Sequence, residues 1–159
     1  MVVDLPGFLY RLNGRNRGVP VRNTLGIAIV SLLLAGLAVH AQEAEMVNQA
    51  RESAKAWLTL VDEGKYGQSW EAAAALFKNA VMKVNWEQAA QSVRGPLGAL
   101  KSRTLKSATF ARSLPGAPAG EYVVIQFDAQ FANKPAAVET VTPMREKDGS
   151  WKVSGYFIK

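Results

Sequence analysis

The hydrophobic pattern of this chain changes its period once, near residue 99, and this change restricts the fold more than any other feature. Before it, apolar residues recur every three or four positions, as they do on the buried face of a helix. After it, apolar and polar residues alternate, as they do on a half-buried strand. Helices followed by strands predict an α+β domain with the helices packed on one face of an antiparallel sheet.

The helical part of the pattern predicts three helices. They are a helix over residues 43–62 with a left-handed cap at Gly64, a second helix that begins at Tyr66 and includes the alanine run 72–75, and a third helix that is capped by Asn85 with Gln88 and stops at Gly95-Pro96. Since turn residues separate these segments by only a few positions, the helices are expected to be neighbours in space.

The alternating part of the pattern predicts four strands joined as a meander. Their expected spans are residues 99–112, 121–133, 136–147 and 150–158. Alternation is clearest in the second strand, whose inward side chains are expected to be Val123, Ile125, Phe127, Ala129 and Phe131. Pro143 indicates a sheet edge or a bulge, because proline has no N–H for a ladder hydrogen bond. In the last strand, Trp151, Val153 and Phe157 are expected to point inward.

Residues 1–41 are predicted to be a signal peptide that precedes a single domain, residues 42–159. Four arginines, Arg11, Arg15, Arg17 and Arg22, precede the uncharged segment Leu25–Val39, and a cleavage site fits between Ala41 and Gln42. As a helix this segment spans about 22 Å, which is short of the roughly 30 Å hydrocarbon core of a bilayer. A membrane helix retained over residues 24–41 is the alternative, and a translation start at Val19 or Val21 would shorten the basic region.

Composition excludes several kinds of chemistry in the mature chain. There is no cysteine, and the one histidine, His40, precedes the cleavage site, so neither a Ser–His nor a Cys–His pair can form. The carboxylates have no calcium-loop spacing, and no phosphate-binding glycine loop occurs, so neither a metal nor a cofactor is expected. Residues 42–159 carry 15 basic and 12 acidic side chains. This modest excess, in an exported protein, predicts no binding to nucleic acid.

Two carboxylates are the least unlikely catalytic groups, because an enzyme of this architecture needs a titratable side chain in an apolar cavity. Glu121 shares the inward register of its strand but lies at the strand's start, and Asp128 falls on the opposite, solvated face. Asp62 and Glu63 are expected to be exposed at the end of the first helix. Neither candidate therefore makes a strong case for catalysis.

Aromatic and basic side chains each allow two interpretations. Core packing is favoured for the aromatics, and the alternative is a pocket for a small apolar ligand; the residues are Trp57, Tyr66, Trp70, Phe77, Trp86, Phe127 and Phe131. The basic residues of the first strand are Lys101, Arg103, Lys106 and Arg112. They are expected to protect an exposed sheet edge from aggregation, and weak attraction to anionic lipid headgroups or polymers is the alternative.

Several short motifs resemble a bacterial family of exported proteins known only as a domain of unknown function. They are Ala54-Lys55-Ala56-Trp57-Leu58, Asp62, Gly64, Tyr66, Ser69-Trp70, Arg94-Gly95-Pro96-Leu97-Gly98, Leu114-Pro115-Gly116-Ala117-Pro118, Glu121-Tyr122-Val123-Val124 and Trp151-Lys152-Val153-Ser154-Gly155-Tyr156-Phe157-Ile158. The order of elements is similar to the cone-shaped fold of the nuclear-transport-factor and ketosteroid-isomerase superfamily, although the short strand usual among its helices is missing. A cystatin-like packing is an equal relative. The resemblance implies no activity, cofactor or catalytic residue.

These observations favour a non-catalytic periplasmic module that binds an unknown protein or a small apolar ligand. One alternative is a small cone-fold isomerase or lyase with Glu121 or Asp128 as its base. Another is an accessory subunit of an envelope complex, facing the periplasm and held in the inner membrane only through residues 24–41. Fold by itself does not choose among these functions.

Overall fold

A computed structural model describes residues 24–159, with side chains from residue 40 onward. The elements are α1 (Thr24–Asp62), α2 (Tyr66–Ala72), α3 (Ala75–Ala80), α4 (Lys83–Leu97), β1 (Leu100–Ala111), β2 (Tyr122–Phe131), β3 (Ala137–Arg145) and β4 (Trp151–Ile158). The α+β class with a four-stranded antiparallel sheet is therefore confirmed, and the predicted number of three helices is wrong. The part of the signal prediction that rests on residues 1–23 lies outside the described residues.

Helix α1 begins well before the predicted first residue, 43, and ends where it was expected to. Gly64 has a φ of +71°, and its N–H donates to the Val61 carbonyl at 3.1 Å while the Lys65 N–H donates to the Leu60 carbonyl at 2.8 Å. Glycine adopts this left-handed conformation without a Cβ clash, so the predicted cap is confirmed. Ala41 and Gln42 are exposed on α1. Within the part of the chain that is described, no helix is both long and apolar enough to cross a membrane.

The predicted second helix is two short helices, α2 and α3, separated by Ala73 and Ala74. Both alanines have extended backbones, with ψ of 165° and 154°. The Ala74 N–H donates to the Val153 carbonyl of β4 at 2.8 Å instead of to a carbonyl of its own helix. Alanine favours helix by only a fraction of a kcal/mol per residue, so this hydrogen bond to the sheet overrides the local preference.

Both predicted ends of the third helix are wrong. Helix α4 begins at Lys83, and its first hydrogen bond from the Trp86 N–H, 2.9 Å long, goes to the Met82 carbonyl. Asn85 therefore lies inside the helix and does not cap it. The helix also continues through Gly95 and Pro96, because a proline in the last turn removes one hydrogen bond without breaking the turns before it. Gly98, with a φ of +74°, ends it.

The sheet has the strand order β1-β2-β3-β4 with antiparallel neighbours, which confirms the predicted meander. Strand β2 shows the predicted alternation: Val123, Ile125, Phe127, Ala129 and Phe131 are buried, whereas Asp128 and Gln130 are exposed. The buried face of β2 shares one hydrophobic core with side chains of α1, α3 and α4, including Trp57, Phe77 and Trp86. Leu37–Lys159 forms a compact unit.

A bulge in the pairing of β3 with β4 reverses the alternation in the last strand. Thr142 pairs with Gly155 and Pro143 pairs with Val153, so Ser154 has no partner on β3. The extra residue turns Tyr156 inward and leaves Phe157 60% exposed. The expectation that Phe157 points inward is therefore wrong, while the bulge predicted from Pro143 is confirmed.

Candidate functional site

Four charged side chains and one tyrosine form a largely buried cluster. We call Asp62, Arg94, Arg103, Glu139 and Tyr156 the ionic cluster. Glu139 is fully buried and Arg94 is 6% exposed. Arg94 Nη1 lies 2.9 Å from Glu139 Oε1, and Arg94 Nη2 lies 2.5 Å from Asp62 Oδ1. Arg103 bridges the same two carboxylates, with Nε 2.5 Å from Glu139 Oε2 and Nη1 2.7 Å from Asp62 Oδ2.

Five different elements contribute these side chains, so the ionic cluster forms only when the fold is complete. The members come from the end of α1, the last turn of α4, and strands β1, β3 and β4. Two arginines face two carboxylates, which gives the compensation that buried charges require. The Arg94 guanidinium also lies 4.6 Å from the centre of the Phe131 ring, in cation–π geometry.

Tyr156 completes the ionic cluster as a neutral donor. Its hydroxyl donates to Glu139 Oε1 at 2.6 Å and accepts from Arg94 Nη1 at 3.3 Å. Burial and the adjacent Glu139 carboxylate raise the pKa of Tyr156. Burial alone would lower the pKa of Arg103, but its hydrogen bonds to Asp62 and Glu139 outweigh that effect and raise the pKa. Each carboxylate oxygen of the cluster accepts at least one hydrogen bond from within the molecule.

No local sequence pattern predicted this cluster. Glu139 follows Ala137 and precedes Val141 at the inward positions of β3, and this register was the available signal. Asp62 was expected to be exposed, and the residue as a whole is, although two arginines cover its side chain, which is 21% exposed. Arg103 was assigned to a solvated edge, and its side chain is 14% exposed in the cluster. The expectation for Arg103 is wrong because it used strand register without the helices that pack above.

Most of the aromatic candidates lie in the core. Trp57, Phe77, Trp86 and Tyr156 pack against each other with ring centres 5.1–6.4 Å apart. The indole N–H groups of both tryptophans bind Ser69: Trp57 donates to its carbonyl at 2.7 Å and Trp86 to its hydroxyl at 2.9 Å. Tyr66 and Trp70 are half-buried against this core, and Phe127 and Phe131 are buried.

An apolar groove of about 230 Å³ lies between α4 and the end of β4. We call it the α4–β4 groove; its lining residues are Trp86, Ala89, Ala90, Val93, Tyr156, Phe157 and Ile158. Val93 is 45% exposed and Phe157 is 60% exposed. Tyr156 belongs to both the groove and the ionic cluster, so the cluster fixes the ring that forms part of the groove wall.

The two candidate catalytic carboxylates lie elsewhere, each in an ion pair. Glu121 Oε2 is 3.0 Å from Arg145 Nη1, and Asp128 Oδ1 is 3.0 Å from Lys106 Nζ. Asp128 is exposed, and neither carboxylate lines the α4–β4 groove. Among the described residues, no group of three or more acidic, histidine or cysteine side chains is placed to hold a metal ion.

Architecture and site together define an α+β domain with a closed ionic cluster and an open apolar groove. Residues 53–156 match the family described as "Protein of unknown function (DUF4019)", and the chain belongs to this family. The matched region contains every member of the ionic cluster. No curated protein matches the chain significantly.

Proposed function

We propose that this protein is an exported, non-catalytic interaction module of the periplasm that binds a partner protein in the α4–β4 groove. The observation that carries the proposal is an apolar depression whose lining includes two exposed residues, Val93 at 45% and Phe157 at 60%. Exposed apolar side chains that adjoin a depression are typical of interaction surfaces, whereas isolated ones are common on any protein. Covering both side chains with a partner would remove them from water.

Two observations support a non-catalytic role. The polar atoms of the side chains that line the groove are the Tyr156 hydroxyl, which already donates to Glu139, and the Trp86 indole N–H, which already donates to Ser69. Both carboxylates of the ionic cluster are paired with Arg94 and Arg103, which opposes the proton transfer that a general base performs. The surface candidates, Glu121 and Asp128, are held in ion pairs. Binding therefore accounts for the exposed groups better than acid–base catalysis does.

Export to the periplasm is supported by the order of basic, apolar and small residues in the first 41 positions. Intact mass and cell fractionation of the native protein test this part of the proposal. A mature protein that begins at Gln42 and occurs in the soluble periplasmic fraction is the expected result. A full-length protein in the membrane fraction would contradict it and would favour the anchored accessory subunit.

The binding role is tested by photo-crosslinking from the groove in the cells that make the protein. Phe157→p-benzoylphenylalanine keeps an aromatic side chain at an exposed position and makes it photoreactive. We expect one defined adduct with a partner protein, identified by mass spectrometry. Val93→Glu, added to the same chain, should abolish the adduct because it places a charge in the groove.

The chain provides a matched control on the same helix. Val84 is 52% exposed in α4 and does not line the groove, so Val84→Glu adds the same charge to the same helix. The adduct should persist in this variant. Equal loss in both variants, or no adduct from position 157 in any of them, would contradict binding through the groove.

A further inference from the structure

Strand β4 is an edge of the sheet, and the fold covers only its first half. The Val138 N–H donates to the Lys159 carbonyl at 2.9 Å, and the Lys159 N–H donates back to the Val138 carbonyl at 3.1 Å. Because these ladder bonds alternate in antiparallel pairs, Ile158 and Tyr156 direct their own N–H and C=O groups away from β3. Before the bulge, the same alternation directs the backbone groups of Trp151 and Val153 to the free edge.

The two halves of this edge differ in their hydrogen bonds. The Trp151 carbonyl accepts from Ser53 Oγ at 2.6 Å, and the Val153 carbonyl accepts from the Ala74 N–H at 2.8 Å. In the part of the chain that the structure describes, no hydrogen bond reaches the outward groups of Tyr156 or Ile158. The open half of the edge therefore coincides with the residues that line the α4–β4 groove.

We propose that the partner contributes an extended segment that adds to β4 at Tyr156 and Ile158 and places apolar side chains in the α4–β4 groove. This inference rests on the proposed function and specifies the form of its partner. An added strand would gain main-chain hydrogen bonds from the edge, and alternate side chains would face α4. The groove volume of about 230 Å³ is below the roughly 300–1,000 Å³ of small-molecule pockets. A groove of this size therefore fits two side chains of a partner segment better than it fits a small-molecule ligand.

The surface also specifies residue types in the bound segment. Residues directly opposite in adjacent strands share a face of the sheet, so the partner residues opposite Tyr156 and Ile158 face the groove and should be apolar. On the other face, the partner meets Phe157 and Lys159, which are exposed. Charge complementarity at Lys159 favours a glutamate or aspartate in the partner next to its apolar pair.

A foreign segment fits this surface better than the β4 strand of a second copy. In such a dimer the opposing Tyr156 would already be held in its own ionic cluster, and Ile158 would pack on its own second core cluster. Those side chains could not enter the groove of the other molecule. An isolated extended segment has both of its inward side chains free to do so.

The probe is the peptide acetyl-Thr-Glu-Val-Thr-Val-Thr-amide, which pairs antiparallel to β4 with its glutamate opposite Lys159. Its two valines then lie opposite Ile158 and Tyr156. Backbone N-methylation of both valines gives a matched peptide that keeps the side chains and loses the ladder hydrogen bonds. Titration of the isotope-labelled full chain, followed by NMR and amide hydrogen exchange, reports the site residue by residue.

We expect the first peptide to slow hydrogen exchange at the Tyr156 and Ile158 amides. The affinity should be at least about tenfold lower for the N-methylated peptide, and likewise for the first peptide with the Val93→Glu protein. Val84→Glu should bind like the wild type. Equal binding of both peptides, or binding that leaves these two amides unprotected, would overturn strand addition.

The proposed function can survive failure of this inference. If the crosslink from position 157 depends on Val93 but the captured partner contacts the groove through a helix, the groove is an interaction surface and strand addition is wrong. If sedimentation shows a dimer that Val93→Glu abolishes, the occupant is a second copy, and the inference is again wrong. If neither crosslink nor peptide binding occurs, both proposals fail.

Discussion

The ionic cluster and the α4–β4 groove share Tyr156 and differ in how completely the fold pairs their polar groups and covers their apolar side chains. In the cluster, Glu139 is fully buried and both of its carboxylate oxygens accept hydrogen bonds from within the molecule. In the groove, Val93 and Phe157 remain exposed, and among the described residues no hydrogen bond reaches the outward backbone groups of Tyr156 and Ile158 on the adjacent β4 edge. A closed polar cluster stabilises one arrangement of the chain, whereas an open apolar surface gains free energy only when something covers it.

Because of this difference, substitutions in the two regions should have different effects on stability and on binding. Changes in the ionic cluster should lower the free energy of unfolding because they leave charges buried without partners. Changes at the exposed side of the groove should weaken binding and leave the free energy of unfolding nearly unchanged. Tyr156 is the side chain through which the two regions can be compared directly.

The largest expected effect is that of Glu139→Gln. This variant leaves Arg94 and Arg103 with one carboxylate between them in a buried site, and we expect a loss of about 3–5 kcal/mol in the free energy of unfolding. Urea denaturation followed by circular dichroism measures it. Glu121→Gln is the matched control, since Glu121 also pairs with an arginine but at the surface, and it should cost about 1 kcal/mol or less. Similar losses in both variants would contradict the structural role of the cluster.

Tyr156→Phe should have an intermediate effect. It removes the hydroxyl that donates to Glu139 and keeps the ring that lines the groove, so we expect a loss of about 1–2 kcal/mol in the free energy of unfolding. The crosslink from position 157 should persist in this variant. Loss of the adduct in a folded Tyr156→Phe protein would show that the hydroxyl itself takes part in binding.

Alkaline pH should reduce the difference in the free energy of unfolding between the Tyr156→Phe variant and the wild type. The pKa of Tyr156 is raised in the folded protein, first by burial and then by Glu139, whereas a tyrosine in the unfolded chain ionises near about 10. Its stabilising contribution is therefore complete below about pH 10 and is lost as the pH rises further, by up to about 1.4 kcal/mol per pH unit. Urea denaturation of both proteins at pH values above about 10 tests whether this contribution falls as the pH rises. A difference that grows with pH would contradict it.

The smallest expected effect is that of Asp128→Asn. Asp128 and Lys106 form an exposed pair on the solvated face of the sheet, and we expect a change within about 0.5 kcal/mol in the free energy of unfolding. Catalysis by Asp128 would instead make this variant inactive in any reaction found for the protein. A loss of several kcal/mol would show that this face of the sheet is covered by another surface.

Local pattern was enough to predict the four-stranded meander, because β2 and β3 alternate clearly and turn residues separate neighbouring strands. It failed where a distant group competes with local preference. Ala73 and Ala74 favour helix, yet the hydrogen bond from Ala74 to Val153 breaks it. Phe157 has the inward parity of its strand, yet the bulge at Ser154 reverses that parity. Pro143 indicated a sheet edge or a bulge. Shifting the register of β4 by one residue opposite Pro143 would have placed Phe157 on the exposed face.

The site was less predictable than the fold, because its members are far apart in the sequence. Glu139 could be placed on the inward face of β3 from its neighbours, but nothing local shows that Arg94 and Arg103 reach it. The groove depends on the same long-range information, since Val93 and Phe157 line one depression only when α4 and β4 are adjacent. The predicted aromatic set did contain one groove residue, Trp86, among side chains that fill the core.

The most direct test of the division between cluster and groove is to measure the Val93→Glu protein in two ways. Our account predicts that its free energy of unfolding stays within about 0.5 kcal/mol of the wild type, because Val93 is exposed, and that the adduct from position 157 disappears. Val84→Glu should change neither quantity. An adduct that survives in Val93→Glu at full yield would contradict the assignment of the α4–β4 groove as the binding surface.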